Sequence, residues 1–229
     1  MGYKTATPVQ EQVMKPILAG RDILASAQTG TGKTAAFLLP LLHRLLSTQQ
    51  AAHDINAMVI VPTRELAIQI AESLEGLSYF TDVSSIAVYG GGDGSSFAAE
   101  KKALTTGVDI VVCTPGRMIA HLNMGYVKLK GLKYLVLDEA DRMLDMGFVH
   151  DIKKLLAVLP KKRQSLFFSA TMPPEIVNLA NAILNKPSSV TVTPVSSTVE
   201  IIDQSVYFVD KVNKNSLLME DRKSTRLNS

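Results

Sequence analysis

The sequence predicts an α/β domain in which a mostly parallel central sheet is covered by helices on both faces. Short apolar runs alternate with longer amphipathic ones, and most of the short runs are apolar throughout. Strands that are apolar on both sides are typical of parallel sheets whose two faces are buried. Strand–helix alternation of this length favours right-handed crossovers, and therefore a three-layer α/β/α arrangement.

Seven runs are predicted to be strands: residues 22–26, 57–61, 85–89, 109–113, 134–138, 165–169 and 190–193. Three helical faces lie between them: Leu38, Leu41, Leu42 and Leu45; Leu66, Ile70, Leu74 and Leu77; Ile152, Leu155, Leu156 and Leu159. Pro40 is expected to kink the first of these helices, because proline removes a backbone hydrogen bond.

Composition limits the class of protein. The chain has 229 residues, 46% of them hydrophobic and 20% charged, which is typical of a globular protein that can bury one full core. Its apolar runs, such as 35–42, are much shorter than the roughly 20 residues that span a bilayer. The first residues are not a charged segment followed by an apolar block, so export is not expected. The single cysteine, Cys113, is expected to be a buried thiol in a cytoplasmic protein without membrane contact. The net charge of +3 does not by itself indicate nucleic-acid binding.

Residues 26–34 form a glycine-rich turn between a predicted strand and a predicted helix, the context of a phosphate-binding P-loop. Gly30 and Gly32 permit a tight turn whose backbone N–H groups face phosphate oxygens. Lys33 is expected to reach the β- and γ-phosphates of ATP as a catalytic residue, and the Thr34 hydroxyl to hold Mg²⁺. The other predicted ATP-binding residues of the turn are Ala27, Gln28, Thr29 and Thr31. A chance glycine turn is the alternative, since Ala27 replaces the first glycine of the general pattern.

An apolar strand ending in Asp138 supplies the second half of the predicted site. Asp138 would bind Mg²⁺ beside Thr34, and Glu139 would act as the catalytic base that deprotonates the attacking water. The alternative is that these carboxylates cap a helix. Together with the P-loop, the strand predicts ATP hydrolysis.

The sequence resembles the DEAD-box RNA helicases from residue 2 to about 209. Residues 138–141 spell Asp-Glu-Ala-Asp, and the other similar segments, in order, are Gly2-Tyr3 with Thr7–Gln10, then 62–67, 90–91, 114–117 and 169–171. The resemblance implies a RecA-like P-loop domain and an ATP-dependent RNA helicase. Residues 88–94 and 206–211 resemble a bacterial RhlE-type member. Ala6 replaces the family's usual proline, and the aromatic residue that stacks on adenine in the family would precede Met1.

The resemblance also implies roles for individual residues. Gln10 would read the adenine edge, and Asp141, Ser169 and Thr171 would couple the nucleotide to RNA. The implied RNA contacts are Pro62, Thr63, Arg64, Gly90, Gly91, Thr114, Pro115, Gly116 and Arg117. These residues follow strand ends and offer backbone N–H groups, hydroxyls and guanidinium groups, so binding to the RNA backbone with little sequence preference is expected. The alternatives are surface or salt-bridge roles for the two arginines and a strand-closing turn at 169–171.

The predicted domain plan has four parts. Residues 1–12 are a partial Q motif, 13–198 the RecA-like ATP-binding domain, and 199–220 a linker with the truncated start of a second RecA-like domain. Within this third part, residues 201–209 are expected to form a strand followed by a helical start that does not develop. Residues 221–229 resemble translated sequencing-adapter sequence, and a basic RNA-binding extension is the alternative.

Because the family's second lobe completes the nucleotide pocket in cis, this fragment alone is expected to hydrolyse ATP hardly at all. A DNA translocase and an ATP-gated RNA clamp are the competing functions. The sequence points to no particular helper protein.

Overall fold

The structure is a computed structural model that describes residues 5–48, 54–92, 94–192 and 206–227, with the side chains of 222–227 outside the description. Its strands are β1 Ile23–Ser26, β2 Ala57–Ile60, β3 Ser85–Val88, β4 Ile110–Cys113, β5 Tyr134–Leu137, β6 Gln164–Ser169 and β7 Ser188–Thr191. Its helices are α1 Pro8–Leu18, α2 Lys33–Ser47, α3 Arg64–Ser78, α4 Gly94–Thr106, α5 Pro115–Asn123, α6 Ala140–Asp145, α7 Val149–Val158, α8 Pro174–Ile183 and α9 Lys214–Leu227.

The strands form one seven-stranded sheet in the order β3-β4-β2-β5-β6-β1-β7. Every pair of neighbours is parallel. The predicted α/β class and the seven strands are thus confirmed, with differences of one or two residues at their ends. The strand order brings β1, β6 and β5 side by side, although β1 and β5 are far apart in the sequence.

Two apolar clusters cover the two faces of the sheet. On one face, α1, α2 and α3 contribute buried side chains such as Val13, Phe37 and Ile70. On the other, α5 to α8 contribute side chains such as Met118 and Ile152. The three predicted helical faces lie in these clusters, which confirms the three-layer arrangement. Helix α2 runs through Pro40 as one continuous element.

Cys113 ends β4 and is fully buried, as expected. Burial raises the pKa of its thiol far above the usual range, since the thiolate would lose its hydration. Among the described residues, none of the helices has the length and apolar character needed to cross a membrane.

Residues 194–229 form a compact unit separate from residues 1–193. The strand predicted over 201–209 is not found at 206–209, and 201–205 lie outside the described residues. Val206, Tyr207 and Phe208 are exposed, and no neighbouring strand among the described residues satisfies their backbone groups. The expectation that the following helix does not develop is wrong: α9 runs through most of the predicted adapter-like tail, because this segment is rich in helix-forming residues.

Candidate nucleotide and nucleic-acid site

The P-loop and the acidic motif meet at the carboxyl-terminal edge of the sheet. The P-loop follows β1 and Asp138 follows β5, and β6 separates the two strands. Lys33 Nζ lies 3.8 Å from Asp138 Oδ1, and both side chains are almost completely buried. This contact is the spatial arrangement that a shared magnesium–triphosphate requires.

Two glycines with positive φ shape the P-loop. Gly30 has φ 78° and Gly32 has φ 86°, the left-handed region that favours glycine. Gly32 is the N-cap of α2, so the positive end of the helix dipole lies at the loop. Lys33 Nζ donates a hydrogen bond to the carbonyl oxygen of Ala27 at 2.9 Å, and the Thr31 hydroxyl donates to the Gln28 carbonyl at 2.7 Å. These bonds hold the loop in a turned conformation, with Gln28, Thr29 and Gly30 exposed.

Gln10 connects α1 to the P-loop. Its side chain is only 4% exposed. The amide Nε2 donates to the Gly32 carbonyl at 3.1 Å, while Oε1 accepts from the Thr7 backbone N–H at 3.0 Å. Gln10 therefore supports the loop backbone in this structure, and its contact with adenine stays a prediction. Gly2 and Tyr3, which belong to the same motif, lie outside the described residues.

Gly32→Ala is expected to destabilise the fold by about 1–3 kcal/mol, because it combines a left-handed φ with a steric clash. A Cβ at Gly32 would lie 2.6 Å from Gln10 Nε2. Gly125→Ala is the matched control, since Gly125 has φ +76° but open space at its Cβ position. Urea unfolding should show a larger loss for Gly32→Ala than for Gly125→Ala. Equal losses would show that the contact with Gln10 contributes nothing.

Asp138 is a buried carboxyl directly after β5. It is 3% exposed, and one carboxylate oxygen accepts the Glu139 backbone N–H at 2.9 Å. Burial raises its pKa to about 6, with the nearby Lys33 ammonium opposing the rise. The Asp138 carboxylate and the Thr34 hydroxyl are hard oxygen donors of the kind that Mg²⁺ prefers, so these residues fit the ion. No cluster of three or more His, Cys, Asp or Glu suited to a metal occurs in the described ranges, so phosphate and water oxygens would complete the coordination.

Asp138→Asn is expected to stabilise the nucleotide-free fold relative to the wild type, by an amount that increases with pH. The pKa of Asp138 is raised from 3.8 in the unfolded state to about 6 in the folded state. The stability that such an acid contributes is fully present below pH 3.8 and is lost as the pH rises through about 6. At pH 8 the wild type would bear a penalty of up to about 3 kcal/mol that asparagine avoids. Urea unfolding of both proteins from pH 4 to 8 measures this difference. A difference that stays constant with pH would contradict the expectation.

Glu139 occupies a strained position at the tip of β5. It is the N-cap of α6 with φ 53°, one of the non-glycine residues in the left-handed region. Its Oε2 accepts a hydrogen bond from Arg142 Nη1 at 3.2 Å. Glu139, Thr29 and Lys33 line the same cavity of about 200 Å³. Such strain is found at functional sites, and the cavity places the carboxylate beside the P-loop.

Asp141, Ser169 and Thr171 are in direct contact. Thr171 donates to Asp141 Oδ2 from both its backbone N–H and its hydroxyl, each at 2.9 Å. The Asp141 backbone N–H donates to Ser169 Oγ at 3.1 Å. Partial burial opposes ionisation of Asp141, but the hydrogen bonds from Thr171 and Ser169 outweigh it and lower the pKa of the carboxyl. The acidic motif is thereby tied to the end of β6, and its coupling role stays a prediction.

The predicted RNA contacts follow β2, β3 and β4, which are adjacent in the sheet. Thr63, which follows Pro62, is the N-cap of α3 and accepts the Leu66 N–H. Arg64 Nη1 donates to the Gly91 carbonyl at 3.2 Å, and its guanidinium lies over the Tyr89 ring. The structure therefore joins the segments at 62–67 and 90–91. Thr114 is the N-cap of α5 with Pro115 in its first turn, and the Cβ position of Gly116 is open.

The side chain of Arg117 is mostly buried and ion-paired. Its Nε donates to Glu100 Oε2 at 2.7 Å, and its guanidinium lies 4.5 Å from the centroid of Phe97. Glu100 Oε2 is also 2.8 Å from Nε2 of the fully buried His121. The other imidazole nitrogen, Nδ1, contacts the Tyr126 hydroxyl. Arg117 thus forms a salt bridge in this structure, and its contact with RNA stays a prediction.

Sequence reasoning missed Glu100 and His121. His121 lies four residues after Arg117, on the same face of α5, and this spacing is a signal that could have indicated a shared partner. Glu100 lies in α4, in a stretch without a recognisable motif, and only the tertiary fold brings it to Arg117.

Glu100→Gln is expected to destabilise the fold by about 3 kcal/mol, because it removes the charge opposite a mostly buried arginine. Glu72→Gln, at an exposed position of α3, is the matched control and should change stability by less than about 0.5 kcal/mol. The free energy of unfolding in urea measures both. A variant as stable as the control would mean that Arg117 does not need this carboxylate.

A parallel sheet with a P-loop after one central strand and a buried aspartate after another defines a P-loop nucleotide-binding domain. Residues 7–179 match the family model for the DEAD/DEAH box helicase, and the chain belongs to that family.

Several proteins similar to this chain are named as RNA helicases. The chain is 42% identical over 218 residues to the ATP-dependent RNA helicase CshA of Listeria monocytogenes, covering 95% of this chain and 41% of the relative. It is 44% identical to the RNA helicase CrhR of Synechocystis, covering 92% of this chain and 42% of the relative. A crystal structure described as a hypothetical ATP-dependent RNA helicase from Sulfolobus tokodaii aligns with TM-score 0.75 and 33% identity, covering 84% of this chain and 54% of that one. The chain thus spans about two fifths of the length of these curated relatives.

Proposed function

We propose that this chain is the first RecA-like lobe of an ATP-dependent RNA helicase, which couples RNA-stimulated ATP hydrolysis to local duplex unwinding or RNP remodelling. The contact of Lys33 with Asp138 carries the proposal, since it joins the P-loop to the acidic motif. The names of the relatives support the choice of RNA. Membership of the RhlE type and a cytoplasmic location are further proposals, the latter in keeping with a single, buried cysteine.

ATP would bind with its phosphates on the backbone N–H groups of residues 28–34, at the positive end of α2. Lys33 would exchange its hydrogen bond with the Ala27 carbonyl for phosphate oxygens. Thr34 and Asp138 would hold Mg²⁺, which neutralises developing charge on the phosphates. Glu139 would accept the proton of the attacking water from its position at the rim of the same cavity.

RNA would lie across the ends of β2, β3 and β4. Donors for phosphate and sugar oxygens come from the side chains of Thr63 and Thr114 and from the backbone at Gly90, Gly91 and Gly116. Arg64, which lies beside Gly91, is a further donor. These groups read no base edge, so binding would depend little on sequence. The contacts of Asp141 with Ser169 and Thr171 would relay the state of the nucleotide site along the edge of the sheet.

The domain plan is a further part of the proposal. Residues 13–198 would be the ATP-binding lobe, preceded by the partial Q motif and followed by the start of a second lobe at 199–220 and an adapter-like tail at 221–229. A second lobe in cis would complete the pocket with arginine residues, which in related sites raise turnover about 10³- to 10⁵-fold. Without it, this chain would bind ATP weakly and turn it over very slowly.

Comparison of RNA with single-stranded DNA as activators of the full-length protein tests the proposal. The expected result is ATP hydrolysis stimulated by RNA and not by DNA, with strand separation of a short RNA duplex. Stimulation by DNA alone would indicate a DNA translocase. RNA binding that needs ATP but not its hydrolysis would indicate an RNA clamp.

A further inference from the structure

The amino-terminal edge of the sheet, opposite the nucleotide site, has two adjoining cavities rich in positive charge. A cavity of about 450 Å³ is lined by the cations Arg21, Lys161, Lys162, Arg163 and Lys186. A second, of about 570 Å³, shares Lys162 and Arg163 with it and adds Arg44 and Lys133. We call these cations and the space they line the basic double cavity.

The charge comes from segments that precede four neighbouring strands. Lys133 precedes β5, residues 161–163 precede β6, Arg21 precedes β1 and Lys186 precedes β7. These four strands are adjacent in the order β5-β6-β1-β7. The other three strands are preceded, within three residues, by the carboxylates Asp82, Asp54 and Asp109. The positive charge at this edge is therefore concentrated before β5, β6, β1 and β7, with Asp22, directly before β1, as the exception.

One carboxylate lies among these cations. Asp22 is the one carboxylate among the described residues that line either cavity, and it is 7% exposed. Its oxygens accept the backbone N–H groups of Ser165 at 2.8 Å and of Asn185 at 2.7 Å. Asp22 thus fixes the loops before β6 and β7, and its single negative charge is opposed by seven cations in the lining of the two cavities.

Arg163 is held in place with hydrogen-bonding capacity left over. Its Nη1 donates to the Pro160 carbonyl at 2.6 Å, and its buried Nε has no hydrogen-bond partner among the described residues. Gln164 orders the neighbouring loop, since its Nε2 donates to the carbonyls of Ile17 and Arg21 at 2.9 and 2.7 Å. A fixed guanidinium costs less entropy to bind an anion than a mobile one does.

Lys186 occupies a conformation that a side chain rarely adopts. Its φ is 45°, in the left-handed region, and it lines the smaller cavity. Glycine would relieve the backbone strain at this position, so the lysine is present at a cost to stability. Backbone strain of this kind is concentrated at functional sites.

We propose that the basic double cavity binds the phosphate backbone of RNA, as a second nucleic-acid surface distinct from the one at the carboxyl-terminal edge. Two cavities that share Lys162 and Arg163 can receive neighbouring phosphates of one strand. The positive charge requires a polyanion, and the choice of RNA rests on the proposed function. Binding here would not depend on ATP, because the P-loop lies at the other edge of the sheet.

The test uses Lys161→Glu/Lys162→Glu in this chain and fluorescence anisotropy with a labelled single-stranded RNA at several salt concentrations, without nucleotide. Both lysines are exposed, so the fold should be retained. The expected result is a loss of affinity on the order of tenfold. The slope of log K against log salt should also become shallower by about 1.4, since each lost contact to a single strand removes about 0.7. The matched control is Lys153→Glu/Lys154→Glu, an exposed pair on α7 that lines neither cavity, with an expected change below about twofold.

Lys186→Gly is a second variant with effects of opposite sign. It should raise the unfolding temperature, because strain is relieved, and lower RNA affinity by about threefold, because one cation is lost. A merely structural role for Lys186 would leave RNA affinity unchanged.

Equal RNA affinities of the two double variants would overturn the proposal. The proposal would also be overturned if Lys161→Glu/Lys162→Glu lost affinity for polyglutamate but kept its affinity for RNA. That result would assign the surface to an acidic polypeptide. Failure of the proposed function would give a different result. RNA would then not stimulate ATP hydrolysis by the full-length protein, while the variants could still lose RNA binding.

Discussion

Glu139→Gln is expected to reduce RNA-stimulated ATP turnover by the full-length protein by about 10²- to 10⁴-fold, the contribution of a positioned general base. Glutamine has nearly the same shape as glutamate and keeps an oxygen for Arg142, but it cannot take a proton from water. Because Lys33, Thr34 and Asp138 are untouched, nucleotide affinity should stay within about twofold of the wild-type value.

Steady-state phosphate release with saturating RNA measures turnover, and fluorescence of a labelled ATP analogue measures affinity. Glu175→Gln, an exposed carboxylate in the first turn of α8, is the matched control and should leave both unchanged. Turnover close to the wild-type rate would remove Glu139 from the chemistry. Full RNA-dependent function without turnover would support an ATP-gated clamp instead of a helicase.

Lys33→Ala is expected to weaken nucleotide binding on the order of a hundredfold, since hydrogen bonds to a charged group contribute roughly 1.5–3 kcal/mol each. The side chain holds the Ala27 carbonyl at 2.9 Å and lies 3.8 Å from Asp138. Its removal also takes away the cation that opposes protonation of Asp138, so the pKa of that carboxyl should rise further.

The loss of nucleotide affinity expected for Lys33→Ala can be tested on the present chain, since a measurement of affinity does not require turnover. Titration with a fluorescent nucleotide at pH 8, where Asp138 is ionised in the wild type, gives the comparison. Lys15→Ala, which removes an exposed lysine from α1, controls for the loss of charge. An unchanged dissociation constant, together with an unchanged unfolding transition, would rule out Lys33 as a phosphate ligand.

Local pattern was enough to predict much of the fold and of the nucleotide site. Strands buried on both faces are apolar throughout, so they can be recognised in the sequence. The spacing of Gly30 and Gly32 between a strand and a helix is typical of a P-loop and of few other structures. The order of the strands was not predictable in this way, because it depends on contacts between residues far apart in the chain. The pairing of the two motifs nevertheless predicted that Asp138 lies beside the P-loop, and the structure places Lys33 Nζ 3.8 Å from Asp138 Oδ1.

The parts that sequence reasoning missed or misplaced share the same cause. The resemblance implied an RNA contact for Arg117, but it gave no sign of Glu100, which lies 17 residues away in another helix and accepts a hydrogen bond from Arg117. Cations at 21, 133, 161–163 and 186 are scattered in the sequence and become one surface only when four strands align. Residues 206–209 form no strand, because no partner strand lies beside them among the described residues. Helix α9 forms where the helical start was expected to stop, because a helix satisfies its own backbone.

The buried thiol of Cys113 has a practical use. Because this cysteine is the single one in the chain and is fully buried, maleimide reagents should leave the native protein unlabelled. A cysteine introduced at an exposed site would then accept a fluorophore selectively, without prior removal of Cys113 from the core. Donor and acceptor dyes could be placed at both edges of the sheet in this way, to follow where a single RNA strand runs.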